Sequence, residues 1–292
     1  MDPGGLDRKA KTLAERLPAC DICPRLCGVD RTRDERGTCG TGFRAVVSSY
    51  GPHFGEEAPL VGRSGSGTVF FAGCPLRCVF CQNYEISHRM AGEAVDAGDL
   101  AGVFLAVERA GCHNLNLVTP THVTPQIVEA LALAAGRGFS LPVVYNCGGY
   151  ERIETLRELE GIVDIYMPDL KFLDPALAAR YCGAPDYPEV ARAALREMAR
   201  QVGPLVVDRR GIAVRGLLVR HLVMPGGASD TREAIDFLAG EIGRDTYLNL
   251  MDQYRPCGSA GDFPEISRRL SRAEWEEARE YAARRGMTRL DR

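Results

Sequence analysis

Gly73-Cys74-Pro75-Leu76-Arg77-Cys78-Val79-Phe80-Cys81-Gln82-Asn83 decides how the rest of this chain is read. It carries three cysteines spaced C-x3-C-x2-C, directly after the strand-like run Thr68-Val69-Phe70-Phe71-Ala72. Three thiolates on one short loop can hold three irons of a four-iron, four-sulfur cluster, whereas an electron-transfer ferredoxin closes every iron with a fourth ligand. The remaining iron is then open. An open coordination position is what separates a catalytic metal site from a structural one.

This spacing, with the aromatic Phe80 just before the last cysteine and a strand before the first, resembles the signature of radical S-adenosylmethionine (SAM) enzymes. The resemblance implies that SAM chelates the open iron through its amino and carboxylate groups. An electron passed through the cluster breaks the sulfonium bond, and the resulting 5′-deoxyadenosyl radical takes a hydrogen atom from a substrate. Cys74, Cys78 and Cys81 are then the catalytic, metal-binding residues, and Phe80 lies beside the cofactor. The alternative for the motif alone is a zinc knot or a set of buried thiols.

Composition sets the frame for this reading. The chain has 292 residues, 45% hydrophobic and 26% charged, the profile of an ordinary globular protein with ample core. That length suits one large domain or two smaller ones. A net charge of −3 gives no reason to expect nucleic acid or an anionic membrane as partner. Met1 to Leu17 lacks the apolar core of a signal peptide, and no apolar run approaches about 18 residues, so the expected location is the cytoplasm. Eleven cysteines are an odd count for a secreted disulfide scaffold, and their clustering points to metal.

A second cluster of cysteines precedes the first in sequence: Cys20-Asp21-Ile22-Cys23-Pro24-Arg25-Leu26-Cys27, then Cys39 in Gly37-Thr38-Cys39-Gly40. Four thiolates fill every coordination position, so the expected role is structural zinc or an auxiliary iron–sulfur cluster. Thiolate preference does not choose between them, and free thiols are the alternative.

The remaining chain alternates strand and helix signals with short connections, the pattern of a parallel sheet with helices outside it. A short helix is expected around Leu6 to Leu17, ended by Pro18, and a strand over Ala45–Tyr50. The breaker-rich stretch Gly51 to Leu60 reads as an irregular connection whose His53, Glu56 and Glu57 are more often solvated than turned to a site. After the cluster loop, Asp99 is expected to cap a helix ended by Gly111, and Leu115–Thr119 to form a strand. Thr124-Pro125 then reads as a cap with proline at the first helical position. Strands over Val143–Asn146, Ile162–Met167 and Tyr247–Met251 follow, with helices near Ile153–Leu159, Tyr187–Val202 and Thr231–Ile242. Asp208 to Gly211 reads as a turn, and Ser271 with Glu274 as the capping box of a final helix. About six strand–helix units follow Gly67, fewer than the eight of a closed barrel. The expected fold is therefore α/β, an open, partial TIM-like barrel over residues 67–292 with a Cys-rich extension over residues 1–66.

In such barrels the site lies at the C-terminal strand ends. Those ends carry the cluster cysteines, Thr119 to His122, Asn146 to Gly149, Asp169 with Lys171, Arg220 to Leu222 with Met224 to Gly227, and Asp252 to Arg255 including Tyr254. Lys171 and Arg220 are the best-placed cations for a SAM carboxylate.

Over most of residues 67–260 these pieces resemble one radical SAM branch, the activating enzyme of pyruvate formate-lyase and its relatives. The resemblance implies that Asp169-Leu170-Lys171 is the D-x-K turn whose lysine meets the SAM carboxylate. It further implies that Arg220 through Gly226, with Leu222, supplies an arginine and an adenine shelf. A monovalent cation would sit at Met167-Pro168-Asp169 near Asn146 and Cys147, where Cys147 replaces the usual hydroxyl. Asn146 and Tyr254 complete the implied cofactor contacts, and a flavodoxin or ferredoxin is the implied electron donor.

The chain departs from that branch where Thr119-Pro120-Thr121-His122 takes the place of the glycine-rich turn for the SAM amino group. It also lacks the ferredoxin-like insert of several activases. The substrate is left open among a protein glycine, a peptide and a small molecule. A non-catalytic iron–sulfur, zinc or electron-transfer module is the competing function. Cys112, Cys182 and Cys257 lack ligand spacing and read as inert buried thiols. His122 reads equally as a proton donor or a satisfied core histidine.

Overall fold

The computed structural model describes residues 2–291. Helix α1 (Pro3–Ala14) starts earlier than the pattern suggests, because Asp2 accepts from the amides of Gly4 and Gly5 and Pro3 occupies the first helical position. An irregular Cys-rich segment follows. Strand β1 then runs over Ala45–His53, through Gly51 and Pro52, so His53 belongs to a strand. Pro52 is tolerated there because its neighbour β2 (Ser66–Phe71) pairs antiparallel with β1 near the sheet edge. Between them lies the one-turn helix α2 (Ala58–Val61).

After the cluster loop come α3 (Tyr84–Ser87), β3 (Glu93–Val95) and α4 (Ala97–Arg109). Asp96, not Asp99, caps α4, since its carboxylate accepts from the Asp99 amide and leaves Asp99 in the first turn. Strand β4 (Leu115–Val118) leads to α5 (Thr124–Ala135). Thr124 is already helical: its hydroxyl turns back to the carbonyls of Pro120 and Thr121, so it closes the preceding turn and does not cap.

Strand β5 (Val143–Cys147), α6 (Ile153–Glu158) and β6 (Ile165–Pro168) follow. Helix α7 (Pro175–Cys182), capped by Asp174, was not foreseen. Helix α8 (Tyr187–Val202) precedes the short β7 (Val206–Val207), which pairs antiparallel with β8 (Ala213–Leu222). Last come α9 (Thr231–Phe237), β9 (Tyr247–Met251), α10 (Arg272–Arg284) and β10 (Arg289–Leu290).

The sheet order is β10-β9-β8-β6-β5-β4-β2-β1-β3, parallel from β2 through β10, with β1 and β3 antiparallel at one edge. It remains open, a partial barrel of the α/β kind. Strands β4, β5 and β6 are buried along their whole length, as parallel strands covered on both faces must be.

Alternation along the strands separates two cores. Val144, Ile165, Met167 and Leu218 face inward, where Leu60 of α2 plugs the bottom of the barrel, while Tyr145 and Tyr166 face the helices. Two residues further along, the same inward register carries Asn146 and Arg220 to the rim.

Candidate active site

Parallel register brings residues distant in sequence side by side at the C-terminal rim. Asn146 pairs with Val118 on one side and Met167 on the other, Asp169 bridges to Arg220, and Arg220 pairs with Asn249. A cavity of about 790 Å³ opens above them. Cys74, Cys78, Cys81 and Phe80 line it, as do Asn146, Asp169, Lys171, Arg220 and Leu222. Tyr254 is not among the lining residues: its hydroxyl donates to the Ile266 carbonyl at 2.7 Å, and its ring stands 6.4 Å from that of Phe80.

The cysteine loop leaves β2 through Gly73, whose φ of +86° is left-handed, and a Cβ there would stand 2.5 Å from the Cys39 carbonyl oxygen. Only glycine permits that approach. Beyond it, the Leu76 amide donates to Cys74 Sγ at 3.4 Å, and Ser87 Oγ lies 3.2 Å from Cys81 Sγ. Burial pushes the thiols of Cys74 and Cys81 up. The hydrogen bond from Cys182 lowers Cys78 instead, and three thiols converging on a cavity, each with a hydrogen-bond partner against its sulfur, suit a soft metal that draws off the protons on binding. Among the described residues no three His, Cys, Asp or Glu side chains stand close enough to hold one metal ion. The fit is to a cluster whose separate irons each take one thiolate, since the three cysteines of one loop line a single cavity.

Burial would pull Lys171 down, but Asp169, 2.5 Å away, outweighs it and keeps the ammonium charged. Arg220 is deeply engaged. Its Nε and Nη2 each donate to Glu57 at 2.6 Å, Nη2 also meets Glu56, and Asn249 donates to Glu57 at 2.8 Å. Burial raises Glu57, yet the Arg220 charge prevails and holds its carboxyl below the usual range. The solvated reading of His53, Glu56 and Glu57 is therefore corrected: all three line the cavity. The two glutamates owe their place to Arg220, more than a hundred residues away, which no local pattern shows, while the His53 ring stands edge-on to that of Phe70.

His122 is 1% exposed, and burial pulls it down to about 4. It is neutral, and its Nε2–H donates to the Ala72 carbonyl at 2.8 Å. It is thus a strut between the Thr119–His122 turn and the strand before the cluster loop, and not among the cavity-lining residues.

Cys147 also lines the cavity, beside the buried Glu151, which accepts from Thr121 and Tyr145. Cys182, read as an inert thiol, lies 3.1 Å from Cys78. No sequence spacing could have found that contact, since 104 residues separate the two.

The four N-terminal cysteines lie off the cavity, in the segment that backs the cluster loop. Cys20, Cys23 and Cys39 are buried, and Cys27 is half-buried. Among them sits Arg31, 1% exposed, with Nε donating to the Gly42 carbonyl, Nη1 to that of His122, and Nη1 4.0 Å from Cys20 Sγ.

Comparison with known proteins accords with this geometry. The chain is similar to the uncharacterized protein MJ0674 of Methanocaldococcus jannaschii, 30% identical over 295 residues that cover 97% of this chain and 79% of that protein. Among solved structures it is similar to TYW1 with a lysine-pyruvate adduct bound, at 13% identity and a TM-score of 0.43, covering 74% of this chain and 73% of that one. That likeness is too distant to carry an argument. A family model described as the radical SAM superfamily matches residues 68–238, from the strand before the three cysteines to the helix after the Arg220 strand, and the chain belongs to that superfamily.

Proposed function

We propose that Cys74, Cys78 and Cys81 hold a [4Fe–4S] cluster whose open iron binds SAM, and that the rim residues orient SAM toward a substrate in the same cavity. The observation that carries this reading is the convergence of the three cysteines, Lys171 and Asn146 on one cavity. When bound, the cluster and SAM together supply a 5′-deoxyadenosyl radical able to take a hydrogen atom from carbon. The protein's own part is binding, orientation and exclusion of water.

Lys171 is the cation we assign to the SAM carboxylate, held charged and aimed by Asp169. Arg220 has Nε and Nη2 committed to glutamates, so its Nη1 is the edge we assign to ligand. Phe80 and Leu222 supply apolar contact and Asn146 a polar one. The one carboxylate of the implied monovalent-cation site, Asp169, is already paired with Lys171, and we do not carry that cation forward.

Our finer reading is activase-like. The D-x-K turn and the Arg220 strand stand at adjacent strand ends, joined by the Asp169–Arg220 bridge, which supports that branch; the hydrogen donor we propose is a backbone glycine, a peptide or a small molecule. The electron donor we propose is a flavodoxin or ferredoxin, in the cytoplasm. Among the described residues no helix is long and apolar enough to cross a membrane.

We also propose that Cys20, Cys23, Cys27 and Cys39 bind a second iron–sulfur cluster, zinc being the alternative that would need these side chains closer together than they stand here; of the proposed extension over residues 1–66, β1 and α2 join the barrel itself. Support comes from Arg31, a buried guanidinium whose Nη1 stands 4.0 Å from Cys20 Sγ and whose Nη2 has no partner among the described residues, so a thiolate there would balance it.

The decisive experiment is anaerobic reconstitution, reduction, and assay of 5′-deoxyadenosine from SAM. The wild type is expected to produce it and Cys78→Ala to lose it, by at least a hundredfold. Cluster-loaded wild type that neither binds nor cleaves SAM would leave the electron-transfer reading in its place.

A further inference from the structure

The cluster loop is clamped to the end of α7. The Arg77 amide donates to the Cys182 carbonyl at 3.0 Å, and the Val79 amide to the Tyr181 carbonyl at 2.9 Å. These carbonyls belong to the last turn of a helix, where no intrahelical donor remains for them. Residue 78 is thus fixed on both sides, and its sulfur meets Cys182 Sγ at 3.1 Å. Cys182 is 0% exposed and Cys78 is 8% exposed.

That distance is well beyond a covalent sulfur–sulfur bond, and the two sulfurs form a hydrogen bond. Either could donate in the metal-free chain. Once Cys78 is an iron thiolate it has no proton, and only Cys182 can be the donor.

We propose that Cys182 is a positioning residue of the reaction: its S–H donates to the iron-bound sulfur of Cys78 and thereby sets the reduction potential of the cluster. Reduction adds negative charge to the cluster and its ligand sulfurs. A donor aimed at one of those sulfurs favours the reduced form and raises the potential, as hydrogen bonds to cluster sulfurs do. No other cluster cysteine has this arrangement, since Cys74 takes a backbone amide and Cys81 an alcohol. The proposal rests on the reading of Cys78 as an iron ligand.

The test is a redox titration of the reconstituted protein without SAM, followed by electron paramagnetic resonance, on wild type, Cys182→Ala and Cys182→Ser. The expected result is a midpoint shifted to lower potential in C182A at unchanged iron and sulfide content, with C182S returned toward wild type by its hydroxyl. After exchange into D2O, pulsed spectra of the wild type are expected to show a deuteron coupled to the cluster that C182A lacks. Equal midpoints in wild type and C182A overturn the proposal. So does loss of iron in C182S, which would make Cys182 a ligand and not a donor. Wild type that assembles no cluster would instead end the reading of Cys74, Cys78 and Cys81 themselves.

Discussion

Glu151 is 2% exposed and accepts from Thr121 Oγ1 at 2.6 Å and Tyr145 Oη at 3.1 Å, with no cation paired to it among the described residues. Burial pushes its carboxyl up to about 7, against an ordinary value of 4.5. Because the folded value is the higher one, the folded state binds the proton more tightly. The resulting stability is fully present below about pH 4.5 and is lost as pH rises through about 7. The difference is on the order of 3 kcal/mol. Glu151→Gln keeps the shape without the charge, so urea denaturation of the variant should lose that slope between pH 5 and 7 and show a gain near pH 8. An unchanged slope would mean another group titrates. Single residues of this kind were the least legible in the sequence. The cysteine motif announced itself through spacing, but Glu57, Glu151 and Cys182 owe their environments to partners brought in by the fold. Asn146 and Lys171 were found only because strand ends could be counted.

Elements were easier to read, and the errors have local causes. Two aspartates three residues apart compete to cap α4, and the upstream one wins because Ala97 and Gly98 then complete the first turn. Helix α7 carries its own Asp174-Pro175 start signal but is short, so the periodicity of its apolar face is brief. The element most exposed to substitution is the turn after β5. Gly149 has φ +75°, and a Cβ there would stand 2.3 Å from the Asp169 carbonyl oxygen and 2.9 Å from Tyr187 Oη. Tyr187 in turn donates to the carbonyls of Gly148 and Asp169 and accepts from the Lys171 amide, each at 2.9 Å. Gly149 therefore lets one rim turn lie against the next. Gly149→Ala combines left-handed strain with a backbone clash and should cost upward of about 1–3 kcal/mol. By displacing Asp169 and Lys171, it should also weaken SAM binding by tenfold or more, measured by calorimetry on the reconstituted protein. Gly102, where a Cβ would meet nothing within 4 Å, is the control: Gly102→Ala should leave binding unchanged.

At the scale of the whole molecule, the N-terminal segment is fastened to the barrel at many points. Lys9 donates to the carbonyls of Glu158 and Glu160 at 2.8 and 2.7 Å, Asp21 pairs with Arg16 and Arg152, and Arg25 donates to the Pro75 carbonyl at 2.7 Å. Leu6, Leu13, Leu17 and Ile22 share one core with Ile127 and Leu131. Sequence showed the cysteines of this segment but not the docking, because the contacts of Lys9, Asp21 with Arg152, and Arg25 reach 50 to 151 residues along the chain. Arg31 lies at the centre of that interface and links it to the turn at His122. With a free thiol beside it, the buried guanidinium has only the exposed Asp34 carboxylate to answer its charge. With four metal-bound thiolates it is a stabilising cation. The two cases give different costs for Arg31→Met, which removes the charge at similar length. In metal-loaded protein the variant should be destabilised by about 1–3 kcal/mol through lost hydrogen bonds and lost compensation. After removal of metal by chelation, the deficit should shrink or reverse, because the wild type then carries the less compensated charge. Urea midpoints of both proteins with and without metal make the comparison, beside iron, zinc and sulfide analysis of a Cys20/Cys23 double mutant. A deficit that is the same in both states would show that the thiols around Arg31 never become thiolates, and the second metal centre would have to be given up.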